Sequence, residues 1–79
     1  MDTIKGPIKG YYIALRAEPD GECWVGYARV FGCPPRNYED LECLMRVVSD
    51  KRDLTSPHEA WAHAEALALQ RLEELPPRT

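Results

Sequence analysis

The chain has no hydrophobic run near the roughly 20 residues that cross a bilayer, and its opening, MDTIKGPIKG, lacks the apolar core of a signal peptide. The expectation is a cytoplasmic protein with no membrane partner. Basic residues are outnumbered: 10 Lys and Arg stand against 13 Asp and Glu, for a net charge of -3. A chain of that sign has no broad attraction to phosphate backbones, so nucleic acid is disfavoured as a partner. Only 3 cysteines occur, Cys23, Cys33 and Cys43, and they are too widely spaced for a Cys-x-x-Cys metal or redox pair. Their odd count argues against a closed disulfide framework and for reduced thiols. Cys23 and Cys43 sit in apolar stretches, where a free cysteine packs as a small hydrophobe. Cys33 lies in the loop FGCPPRNY, with nothing nearby in sequence to activate it.

Signatures of chemistry are also missing. There is no glycine-rich phosphate loop after a strand, no Gly-x-Ser-x-Gly elbow, no internal repeat and no low-complexity tract. The one stretch that resembles a reactive motif is SPHEAWAHAE, residues 56 to 65, with His58, Glu59 and His63. A zinc-protease helix needs its two histidines four residues apart so that one turn stacks them. Here they are five apart, and at about 100° per residue the rings diverge by roughly 140°. A Cys33 and His63 pair has no local partner to orient it. The acidic pairs Glu39–Asp40 and Glu73–Glu74 read as solvated surface. No catalytic, metal or cofactor-binding residue is expected, and the chain is read as non-enzymatic.

What is present is an ordinary globular composition, 44% apolar and 29% charged, in 79 residues. A single domain is expected over 1–79, with 1–9 and 76–79 as flexible termini. A chain this small buries only about 60% of the surface its unfolded form exposes, so self-association would help it. From Gly10 to Phe31 two runs rich in aromatic and β-branched residues flank Pro-Asp-Gly, which predicts a hairpin with its tip at Pro19 to Gly21. With Glu18 facing Glu22, Leu15 pairs with Val25 and Ile13 with Tyr27. The other face then carries Tyr12, Ala14 and Arg16 opposite Ala28, Gly26 and Trp24. A slip of one residue regroups both sets.

CPPRNYED reads as a loop. In LECLMRVVSDKRD, Leu41, Leu44, Met45 and Val48 fit helical spacing, whereas Cys43, Met45 and Val47 alternate as in a strand. A strand is preferred over 41–49, because a two-stranded sheet is rarely stable alone. SDKRD then turns into a helix from Pro57 to about Leu75, stopped by Pro76 and Pro77. Ser56 supplies its N-cap, Pro57 its first position, and Glu59 the return arm of a capping box. Ala60, Trp61, Ala64, Leu67, Ala68, Leu72 and Leu75 form one apolar arc, with Glu59, His63, Gln70 and Glu74 opposite.

The expected fold is therefore α+β: a three-stranded antiparallel sheet in β-β-β-α order with the helix on one face. The other face meets water or a partner, and its candidate interaction surface is Tyr12, Arg16, Trp24 and Arg29. The alternative register places these aromatics under the helix. The function expected is a binding module for another protein or a second copy in a homodimer. A single-stranded nucleic-acid platform of Arg16 and Arg29 with Tyr12, Tyr27 and Trp24 is an alternative. The element order is similar to the core of a double-stranded-RNA-binding domain, but that family's lysine cluster is replaced by the helix start carrying Glu59 and Glu65.

YYIALRAEPDGECWVGYARVFGC followed by TSPHEAWAHAEALALQRL resembles the HicB-like antitoxin pattern: strand, acidic Asp-Gly turn, strand, Gly-Cys, then a Thr-initiated Glu-Ala helix. The resemblance implies a sheet and helix that mask a small, basic, RNA-cleaving toxin. Its shared positions are Gly32, Cys33, Thr55, Glu59 and Ala60, none of them catalytic.

Overall fold

A computed structural model describes residues 2–49 and 53–76. The elements are β1 (Asp2–Ile8), β2 (Tyr11–Asp20), β3 (Cys23–Phe31), β4 (Met45–Val48) and α1 (Pro57–Leu72). The strands form one antiparallel sheet in the order β1-β2-β3-β4. The three-stranded expectation is thus corrected to four. The added strand is β1, drawn from residues expected to be a flexible terminus. Lys9 and Gly10, with φ of 54° and 84°, make a two-residue turn that returns Ile8 against Tyr11. Gly6 and Pro7 interrupt the pattern because they form a bulge opposite Tyr12, a position where an edge strand tolerates proline.

The β2–β3 hairpin also differs from expectation. Its loop is Gly21–Glu22, not Pro19 to Gly21, and the partners are Ile13–Val30, Leu15–Ala28, Arg16–Tyr27 and Pro19–Trp24. Gly21 has φ of 67°, which suits the first position of a tight hairpin turn. Proline does not end β2, because Trp24 donates its N–H away from Pro19 to the Leu54 carbonyl at 2.8 Å. Position 19 therefore lies at a non-hydrogen-bonded pair and needs no donor. The change of register regroups the faces. Ile13, Leu15, Ala28 and Val30 face the helix, while Trp24 leaves the expected set and packs at the helix-side end with Ala17, Leu54, Ala60 and Trp61.

The helix starts as its sequence dictates. Ser56 accepts from the Glu59 N–H at 3.1 Å, and Pro57 occupies the first turn. The Glu59 carboxylate reaches one residue further back than a standard capping box, accepting from the Thr55 N–H at 2.8 Å and its hydroxyl at 3.1 Å. Ala60, Ala64, Ala68 and Leu72 form the buried stripe, the last three against Ile13, Leu15, Ala28, Val30 and Val47 and Ala60 against Ala17 and Leu54. Full burial of each large aliphatic among these contributes roughly 1.5–3 kcal/mol. Residues 73–75 continue as turns, and the Tyr11 hydroxyl donates to the Pro76 carbonyl at 2.7 Å. The strand expected within 41–49 is present as four residues. Most of the SDKRD turn, residues 50–52, and the terminal residues 77–79 lie outside the described residues.

Candidate interaction face

Strand alternation sends Tyr12, Ala14 and Arg16 of β2, Tyr27, Arg29 and Phe31 of β3, and Arg46 and Val48 of β4 to the face away from the helix. Three of the four candidate surface residues, Tyr12, Arg16 and Arg29, are therefore together. Trp24 is on the other side of the sheet. The face is not open, as expected from sequence, but partly roofed by the 32–44 loop. Tyr38 of that loop is only 7% exposed and packs on Ala14 and Phe31, with Tyr12, Tyr27 and Cys43 around it. Burial raises its phenol pKa, partly offset by the nearby arginines.

The loop is held in shape by its own polar groups. Asp40 accepts from the N–H groups of Glu42 and Arg36, at 3.1 and 3.2 Å, which lowers its carboxyl pKa. Asn37 accepts from the Glu39 N–H at 2.9 Å. Cys33 is exposed at the rim of a concavity that this loop encloses. His63 lines a separate recess with Asp53, Leu54, Thr55 and Glu59, so the structure does not bring Cys33 and His63 to one cleft. His58 lies edge-on to Trp61, centroids 5.3 Å apart. Among the described residues no cluster of three or more His, Cys, Asp or Glu side chains could hold a metal ion. No helix among them is long and apolar enough to cross a membrane.

Both Arg16 and Arg29 place a guanidinium over the Tyr38 ring, at 4.4 and 4.5 Å from its centroid. Their other partners differ. Arg16 donates to both carboxylate oxygens of Asp2, at 2.9 and 2.8 Å, and meets Glu39 at 3.2 Å. Those carboxylates, Asp2 first, raise its pKa further, and the Asp2 carboxyl is lowered in return. Arg29 donates Nη1 to the Tyr38 carbonyl at 3.1 Å, leaving its buried Nε without a hydrogen-bond acceptor among the described residues. Directly across the strand pair from Arg29 stands Arg46.

The edge of β4 completes the site. Ser49 donates its N–H to the Gly26 carbonyl at 2.8 Å, which fixes the hydrogen-bonding phase: Met45, Val47 and Ser49 bond to β3. The backbone groups of Arg46 and Val48 consequently point outward from the sheet. Val48 on this strand and Leu44 just before it are 55% and 57% exposed. Sequence reasoning missed Tyr38, Arg46 and this edge. The alternation in LMRVV contained the signal for Arg46 and Val48, but nothing local announced that a loop tyrosine would fold back over the sheet.

Comparison of the chain with protein-family models, with curated proteins and with solved structures gave no match. Of the positions shared with the antitoxin pattern, Thr55 and Glu59 bond to each other at the helix start, and Ala60 packs with Ala17 and Leu54.

Proposed function

We propose that the chain is a non-enzymatic binding module that docks another protein along the β4 edge. The observation that supports this is the coincidence of outward-facing backbone groups at Arg46 and Val48 with the exposed Leu44 and Val48 side chains. An unpaired edge with apolar side chains is a template for strand addition, in which main-chain hydrogen bonds supply affinity and alternate side chains supply specificity. The four-residue length of β4 limits such pairing to a short segment.

A photo-reactive phenylalanine analogue placed at Val48, and separately at Ala62 on the exposed side of the helix, tests this in the protein's own cell. One dominant protein adduct is expected from position 48 and not from position 62. It should disappear when Leu44→Asp is added. Equal adducts from both positions, or none from position 48, would rule the docking edge out.

A further inference from the structure

We infer that β1 pairs with β1 of a second copy of the chain, antiparallel and centred on Ile4, to make one continuous sheet of eight strands. The hydrogen-bonding phase of the sheet leads to this edge. Trp24 turns its N–H away from Pro19, so that pair is non-hydrogen-bonded. The unbroken β2–β3 register then directs the backbone groups of Tyr12, Ala14 and Arg16 to β3, and those of Ile13 and Leu15 to β1, where they meet Lys5 and Thr3. The backbone N–H and C=O of Ile4, between those two, consequently point out from the end of the sheet.

This edge is bare on its faces as well. α1 lies over β2, β3 and β4 rather than β1. The large apolar side chain that β1 exposes is Ile4, at 42%. A two-fold axis through Ile4 makes the strand complementary to itself. It sets Ile4 against Ile4, Thr3 against Lys5 and Asp2 against Gly6, so an apolar pair lies at the centre and no like charges are opposed. Asp2 and Lys5 keep their internal partners, Arg16 and Glu65. Pro7, which has no N–H to give, falls outside the paired stretch. Both helices then lie on one side of the joined sheet, and its two ends are the β4 edges. Dimerisation does not depend on the docking role of β4, but it gives that role a valency of two. A seam over residues 2–6 is small beside the roughly 20–30 residues a side of a standard interface, so the dimer dissociates on dilution.

Sedimentation equilibrium of the full chain, from about 10 μM to about 1 mM, is expected to show the mass rising from one copy toward two. A mixture of carbon-13-labelled and unlabelled chains locates the contact. Isotope-filtered NOEs should join the Thr3 and Lys5 α-protons of different copies, because those residues face each other at a non-hydrogen-bonded pair. Ile4→Glu opposes two carboxylates on the axis and should weaken association at least about tenfold. Ala62→Glu, on the exposed side of the helix, should leave it unchanged. Both variants should keep the folded amide spectrum.

A single copy throughout the concentration range would overturn the inference and leave the β4 docking edge standing. A dimer that Ile4→Glu leaves intact would overturn it too, by placing the contact elsewhere. Filtered NOEs at Arg46 and Val48 in place of Thr3 and Lys5 would assign the second copy to the β4 edge, overturning both this inference and the foreign partner proposed there.

Discussion

Gly26 lies against the Ala60 carbonyl where the helix crosses β3, so closely that a Cβ built on Gly26 would overlap that carbonyl and stand 3.1 Å from the Ala64 methyl. The alanine stripe permits this approach, because each small side chain lets the helix backbone settle on the sheet. Gly26→Ala must therefore lift the helix, exposing part of the Ala17, Leu54, Ala60 cluster. A loss of at least about 2 kcal/mol is expected, from overpacking and lost burial, with a fall in Tm of roughly 10 °C. Gly21→Ala is the contrast: nothing lies within 4 Å of its Cβ position, and only the positive φ is strained. It should cost about 1 kcal/mol. Thermal melts of the two variants side by side check the difference, and equal losses would contradict the close contact.

Asp2 ties β1 to the rest of the sheet through Arg16. Its carboxyl pKa is lowered in the folded state by the Arg16 hydrogen bonds. A lowered folded pKa stabilises the fold above the unfolded value, and the benefit is lost as pH falls through the folded one. The Asp2 side chain is 40% exposed, so solvent screening keeps the contribution small. Asp2→Asn is expected to cost no more than about 1 kcal/mol at pH 7, and nothing below both carboxyl pKa values. Urea midpoints of the two proteins at neutral and acid pH measure this; a penalty that persists in acid would mean the pair is not its source.

Tyr38 decides whether the second sheet face is a core or a surface. Tyr38→Ala should uncover Ala14 and Phe31 at a cost of about 3 kcal/mol or more. Tyr38→Phe keeps the ring under both guanidinia and should cost no more than about 1 kcal/mol. The phenol adds a pH dependence. Burial raises its folded pKa, so its contribution is full below the unfolded value and is lost as pH rises through the folded one. The native chain should therefore lose stability in alkali more steeply than the Phe variant. Parallel denaturant titrations at neutral and alkaline pH would show it.

Sequence alone determined the elements whose causes are local. The helix follows from Ser56, Pro57 and Glu59 at its start and from an apolar arc with helical period, and Ala60, Ala64, Ala68 and Leu72 lie on the buried side as that period requires. The β2 and β3 strands follow from their aromatic and β-branched runs around a turn, and the alternation of Met45 and Val47 marks β4. Tyr12 and Arg16 share a face in both the expected and the observed pairing, whereas Arg29 joins them only in the observed register.

What tertiary structure decided are the relationships whose energies come from partners distant in the chain. Register across the Gly21–Glu22 turn was settled by which set of side chains the helix covers and by Trp24 donating to Leu54, since the Pro-Asp-Gly turn chemistry is compatible with several loop positions. β1 became a strand because Arg16 offers Asp2 a partner and β2 offers an open edge, neither of which is visible in MDTIKGPIKG. Tyr38 became a buried roof and Arg29 a neighbour of Arg46 because a loop and an edge strand returned to the same face. Those contacts join residues 9 to 24 positions apart in sequence, where local propensity has no influence and only packing and charge compensation choose.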